Sequence, residues 1–145
     1  GNDVSHRPAD KDYDDLNLFK IEQKGEKVAI LALGDFFQKG EELASVIKEK
    51  SGFTPSLINP RFACGLDEEL LHGLKRNHQL VLTLEDGILE GGFGQKIASF
   101  YGPDKMLVKN YGLEKQFYDR YNPDELLQEC GMTTEQIVED VKSIL

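Results

Sequence analysis

Lys27-Val28-Ala29-Ile30-Leu31-Ala32-Leu33 is one charged residue followed by six apolar ones. A strand with one wet face alternates apolar and polar residues. An unbroken apolar run of this length fits a strand covered on both faces. Helices must then lie above and below it, which selects an α/β architecture. The flanking sequence follows the same logic. Residues 19–23 alternate apolar and polar, as a half-buried strand does. Residues 24–26 make a short turn, and so short a link predicts that these first two strands form an antiparallel hairpin.

Downstream, strands and helices alternate. Residues 41–50 place Leu43, Val46 and Ile47 on one helical face, and Gly52 follows as a stop. Residues 54–59 read as a second buried strand closed by Pro60. Asp67 can cap a helix whose inner face is Leu70, Leu71 and Leu74. Residues 80–84 are β-rich, 94–101 form a short helix through Ile97, Ala98 and Phe100, and 106–108 read as an edge strand. Asn122 and Pro123 open a further helix with Leu126 and Leu127 inward, ended by Gly131. Thr133 and Gln136 form a capping box for a last helix buried through Ile137, Val141 and Ile144. Strands separated by helices pair in parallel through right-handed crossovers. The expected fold is α/β, a three-layer α/β/α domain with a five-stranded mixed sheet whose first strand is antiparallel.

Composition bounds the function. The chain has 145 residues, 39% hydrophobic and 30% charged, with a formal net charge of −9. That length suits one domain, able to bury about two-thirds of its unfolded surface. Net negative charge repels phosphate backbones and anionic headgroups, so neither nucleic acid nor membrane is an expected partner. No apolar run approaches the ~18 residues that span a bilayer. No secretory signal pattern opens the sequence, and Cys64 and Cys130 make no CxxC pair, so a reduced, cytoplasmic setting is expected.

Residues 2–18 are Asp-rich and without period, and 1–18 read as a linker arm leading into a domain over 19–145. Asp10, Asp12 and Asp14 alternate like the start of a calcium loop. Asp15 stands where that loop needs Gly and Ile21 where it needs Glu, so no calcium site is expected.

Chemistry-bearing residues gather at strand ends. Arg61 follows Pro60 and could pair with a phosphate, with a carboxylate across an interface, or internally with Asp67 or Glu85. Glu85 and Asp86 close the third buried strand, where α/β sheets place their functional crevice. Paired carboxylates there could do acid–base work, but no nucleophile or His is near in sequence, and a capping or turn role is preferred. Gly91, Gly92 and Gly94 precede a helix whose N–H groups could hold an anion. The run matches neither a dinucleotide fingerprint nor a P-loop, so a tight turn allowing close helix packing is the preferred reading. Residues 34–40 fail the P-loop test too, with Glu41 in place of Lys. His72 and His78 are spaced too widely for zinc. Cys64 lacks an adjacent base, and the Tyr118, Arg120, Tyr121 cluster suits packing or protein contact. The candidate crevice is therefore Arg61, Asp67, Glu85, Asp86, Gly91, Gly92 and Gly94, with no catalytic, cofactor or metal residue assigned.

Three groups of residues carry a family resemblance: 25–34, Asn59-Pro60-Arg61-Phe62-Ala63-Cys64-Gly65-Leu66-Asp67 continuing to Leu70, and 83–94 with its Leu84-Glu85-Asp86-Gly87 and Gly91-Gly92-Phe93-Gly94. In this order they resemble the C-terminal domain of the transketolase superfamily. Tyr111-Gly112-Leu113, Gly131 and 134–137 lean toward its 1-deoxy-D-xylulose-5-phosphate synthase branch. The resemblance spans roughly residues 12–145.

It implies a five-stranded α/β third domain behind two domains that bind thiamine diphosphate, magnesium and substrate. It also implies a homodimeric parent that condenses pyruvate with glyceraldehyde 3-phosphate, releasing carbon dioxide, for isoprenoid, thiamine and pyridoxal synthesis. The family's Gly-Asp-Gly…Asn diphosphate motif and its Glu-rich pyrimidine-activating segment are absent here. No catalytic residue carries over, so the chain alone is expected to be inactive and to bind no cofactor. Two other readings compete: a 2-oxo acid dehydrogenase β-subunit domain docking a lipoyl-bearing partner, and a regulatory module binding a phosphorylated metabolite through residues 91–94.

Overall fold

The computed structural model describes residues 18–61, 65–85, 92–112 and 134–145. Five strands, β1 (Lys20–Gln23), β2 (Lys27–Ala32), β3 (Ser56–Asn59), β4 (His78–Glu85) and β5 (Leu107–Gly112), form one sheet in the order β1-β3-β2-β4-β5. β2 pairs in parallel with β3 and β4, and β4 with β5, while β1 runs antiparallel to β3. The described helices are α1 (Phe37–Ser51), α2 (Glu68–Leu74), α3 (Phe93–Tyr101) and α4 (Thr134–Ile144).

The three layers follow from the side-chain period of the strands. Val28, Ile30 and Ala32 of β2 join Leu80, Leu82 and Leu84 of β4 on one face, where α1 contributes Leu43 and Ile47 and α4 contributes Ile137 and Val141. Ala29, Leu31 and Val81 point to the other face, against Leu70, Leu71 and Leu74 of α2 and Ile97 and Tyr101 of α3. Val28 through Ala32 have no exposed surface. The doubly covered strand read from sequence is therefore the middle of the sheet.

Two tyrosines extend the hydrophobic packing with hydrogen bonds. Tyr101 Oη donates to the Leu71 carbonyl at 2.7 Å, joining α3 to α2. Tyr111 Oη donates to Asp140 Oδ2 at 2.5 Å, joining β5 to α4. Burial raises both phenols well above their ordinary range, aided by Asp104 for Tyr101 and by the Asp140 hydrogen bond for Tyr111.

One expectation is overturned. β1 and β2 do not form a hairpin, because β3 lies between them. The link over residues 24–26 runs against the two residues that lead into β3. Glu26 N–H donates to the Thr54 carbonyl at 2.8 Å and Gln23 Nε2 to the Pro55 carbonyl at 2.9 Å. At Gly25 a Cβ would stand 2.1 Å from the Thr54 carbonyl oxygen, so only glycine permits this crossing. The reason is burial. β2 is apolar on both sides and needs a strand on each flank, whereas the alternating β1 tolerates an edge.

Boundaries shift as well. α1 begins at Phe37 rather than residue 41, because Phe36 is buried and Phe37 packs against the same core. The last helix begins at Thr134, and Gly52 caps α1 in the left-handed conformation (φ 81°) as anticipated. The helix expected from Asn122 to Gly131, the Tyr118, Arg120, Tyr121 cluster and Thr133 of the capping box lie outside the described residues.

Leu82 is fully buried in β4 between α1 and α4. Leu82→Ala should destabilise the domain by ~2–5 kcal/mol through lost transfer energy and a residual cavity. Urea titration of the two proteins measures this, and a change below about 1 kcal/mol would remove β4 from the centre of the core.

Candidate functional site

The C-terminal ends of β2, β3, β4 and β5 meet along one edge of the sheet, and antiparallel β1 starts there because Lys20 pairs with Asn59. This crest is where loops rather than core packing shape the surface. Of the crevice residues expected from sequence, Arg61, Asp67, Glu85, Gly92 and Gly94 are described, whereas Asp86 and Gly91 lie outside the described residues.

Glu85 is the last residue of β4 and only 4% exposed. Its Oε1 accepts the Phe93 N–H at 3.1 Å and its Oε2 accepts the Gly94 N–H at 2.6 Å. A side chain from a neighbouring strand thus caps α3, where Gly92 itself offers no capping atom. A carboxylate at a helix N-terminus satisfies orphan donors and complements the helix dipole, together worth about 1–2 kcal/mol in partly buried geometry. The capping role preferred from sequence is the one observed. The same two amides, which in the less favoured sequence reading could hold an external anion, are occupied by this internal carboxylate.

Gly94 lies against the strands themselves. A Cβ there would come within 2.6 Å of Thr83 Oγ1 and 2.8 Å of Asn110 Oδ1. Thr83 Oγ1 donates to Asn110 Oδ1 at 2.7 Å, so β4 and β5 present a joined polar pair beneath the helix start. Close packing explains this glycine, as anticipated.

Asp67 repeats the device at α2. Its Oδ1 accepts the Leu70 N–H at 3.2 Å and its Oδ2 accepts the Phe19 N–H at 2.9 Å. One buried carboxylate thereby caps a helix and fixes the entry to β1. The Phe19 ring meets Phe93 edge-to-face at 5.9 Å, which ties this corner to α3. Arg61 is exposed, with φ 66° and its N–H bonded to Asn59 Oδ1 at 2.8 Å. A left-handed arginine costs about 1 kcal/mol or more and marks a tightly determined turn. The structure therefore assembles Asp67, Glu85, Gly92 and Gly94 into a braced crest, with Arg61 at the end of β3.

Sequence reading missed three elements here: the Thr83–Asn110 bond, the Phe19–Phe93 contact and the second partner of Asp67. Each joins segments distant in the chain. The one legible signal was Thr83 as a polar residue inside a buried strand.

The sequence of residues 18–137 matches the family model "Transketolase, C-terminal domain". The chain belongs to this family. Three curated relatives are 1-deoxy-D-xylulose-5-phosphate synthases. The protein from Alkaliphilus oremlandii is 34% identical over 143 residues, 95% of this chain and 23% of the relative. Those from Vibrio campbellii and Crocosphaera subtropica are each 31% identical, covering 94% and 86% of this chain and 22% and 20% of theirs. The chain thus spans about a fifth to a quarter of the length of the relatives it matches. Among solved structures, a split-gene transketolase in an inactive β4 tetramer superposes with a TM-score of 0.74 at 26% identity, covering 88% of this chain and 42% of that one. Transketolase from Campylobacter jejuni, at 19% identity and TM-score 0.55, shares the fold over 95% of this chain and 20% of its own.

The thiamine diphosphate and magnesium implied for the family find no fitting donor set among the described residues. No group of three or more His, Cys, Asp or Glu side chains there could hold a metal ion. The helix N-terminus at the crest is already bonded to Glu85. Among the described residues no helix is long and apolar enough to cross a membrane.

Glu85→Gln should cost about 1–3 kcal/mol, because the amide can accept one of the two N–H bonds but turns a donor toward the other. Gly94→Ala should cost ~1–3 kcal/mol by forcing Thr83 and Asn110 apart. Thermal unfolding of both variants measures the losses. Wild-type stability in Gly94→Ala would refute the close approach.

Proposed function

We propose that this chain is the C-terminal, non-catalytic assembly domain of a 1-deoxy-D-xylulose-5-phosphate synthase. In this reading the whole enzyme is a thiamine-diphosphate transferase of the cytoplasm and a homodimer. It condenses pyruvate with glyceraldehyde 3-phosphate for isoprenoid and thiamine synthesis. Residues 1–18 lead in from the preceding domain, residues 19–145 dock against the preceding domains, and the crest is the docking edge.

The observation that carries the assembly role is how the crest spends its carboxylates. Glu85 and Asp67 are buried and bonded to backbone N–H groups of the same domain. Such bonds hold loops in a fixed shape and leave those oxygens poorly placed for acid–base chemistry. A rigid, preformed loop surface is what an interdomain contact requires. Similarity to synthases over nearly the whole chain, against less than a quarter of their length, supports the placement as one domain of a larger protein.

Two measurements test this reading. The purified 145-residue chain should release no carbon dioxide from pyruvate in the presence of glyceraldehyde 3-phosphate, thiamine diphosphate and magnesium. Turnover by the chain alone overturns the assembly role. In the full-length enzyme, Glu85→Gln should weaken dimer association by sedimentation while single-turnover decarboxylation keeps its rate. Loss of the chemical step with assembly intact would instead place Glu85 in catalysis.

A further inference from the structure

The opposite edge of the sheet holds a buried polar relay that the docking role does not use. Gly25 N–H donates to Ser56 Oγ at 2.9 Å, Ser56 Oγ lies 2.9 Å from His78 Nε2, and His78 Nδ1 lies 3.1 Å from the Leu74 carbonyl. Ser56 is 3% exposed and His78 9%. A carbonyl can only accept, so Nδ1 carries hydrogen and donates. In the neutral ring Nε2 is then an acceptor, and the Ser56 hydroxyl donates to it. The hydroxyl has one hydrogen, spent on the ring, while its oxygen receives the Gly25 N–H. The relay is satisfied in this one arrangement, and it joins the β1–β2 crossing, β3, β4 and the end of α2.

A second ring proton breaks that arrangement. Nε2 would then donate to Ser56 Oγ beside the Gly25 N–H, and the hydroxyl hydrogen would lose its acceptor, leaving a buried donor and a buried charge that only hydration of the crossing over Ser56 can satisfy. Burial pushes His78 below its ordinary range, partly offset by the Leu74 carbonyl and the Glu26 carboxylate. The other charged groups near this edge point elsewhere. Lys27, the register partner of His78, sets its ammonium 5.3 Å from the centre of the Phe53 ring. Lys75 pairs with Asp104 at 3.4 Å, and Arg76 is exposed in the turn after α2.

We propose that His78 is an acid-sensitive latch on edge strand β1: neutral, it holds the β1–β2 crossing against β3, and protonated, it releases β1 while the remaining strands stay folded. β1 is the element to yield. It has four residues, a register irregularity between Ile21 and Gln23, and β3 as its paired strand. Local opening draws on such short, half-exposed edges before the core. The sign follows from the lowered folded-state pKa. The latch is complete above the unfolded histidine value of about 6.5, and its contribution is lost as pH falls below that toward the folded value. The latch is a property of the 145-residue chain, and release of β1 would also free the Phe19 N–H from Asp67 at the crest.

Amide hydrogen exchange at pH 7.5 and 5.5, corrected for intrinsic rates, tests it directly. Peptides over residues 19–26 should lose protection, by at most about tenfold, the ceiling for one proton over the unit of pH below 6.5, while β2 and β4 keep theirs. In His78→Gln the pH dependence of residues 19–26 should vanish. In Ser56→Ala, where Nε2 has lost the hydroxyl that it accepts from, the folded value moves back toward about 6.5, so the pH-dependent loss should be smaller and should end at higher pH. Protection in 19–26 that ignores pH, a loss shared equally by β2 and β4, or unchanged pH dependence in His78→Gln each overturns the latch. Should His78→Gln fail to fold, the wild-type chain and Ser56→Ala still decide it.

Discussion

A strand that is apolar on both faces cannot lie at the edge of a sheet or under a single layer of helices without exposing hydrocarbon to water. β2 imposes that constraint on everything around it. It requires β3 and β4 as flanking strands, α1 and α4 above, and α2 and α3 below. It also displaces β1 outward, past β3, to the only kind of position an alternating strand can occupy. The glycine at the crossing and the bonds from residues 23–26 to β3 follow from that displacement.

With the sheet fixed, its two edges are finished differently. Along the strand-end crest, buried carboxylates reach from one element to the backbone of another. Glu85 runs from β4 to α3, and Asp67 holds α2 together with the entrance to β1. A carboxylate bonded to two N–H groups fixes both segments in place. Along the other edge the connection is a neutral relay of hydroxyl and imidazole. Its order depends on protonation, so one edge is built for permanence and the other responds to acid.

Likeness to transketolase C-terminal domains and the braced crest describe the same molecule at two scales. The family relation is to a domain, and the chain matches about a fifth to a quarter of the length of its curated relatives. The crest shows how such a domain keeps its loops in shape, with helix starts satisfied internally instead of by a bound anion. Glu85, for which acid–base work was the less favoured linear reading, is seen to cap α3 once its partners are visible.

Hydrophobic period alone was enough to reveal the strands, the four described α-helices, the doubly covered β2 and the three-layer architecture, because burial acts on each residue through its immediate neighbours in sequence. Asp67 as a cap and Gly52 as a stop were legible for the same reason: their partners lie within four residues. The position of β1 was not legible. A three-residue link is compatible with a hairpin or a crossing, and only the competition between β1 and β3 for the flank of β2 chooses between them. Nor could sequence assign Glu85 to α3, join Thr83 to Asn110, or bring Ser56 to His78, since those contacts span 8 to 27 positions. Tertiary packing made those choices, because a buried polar atom must find a partner wherever the fold places one.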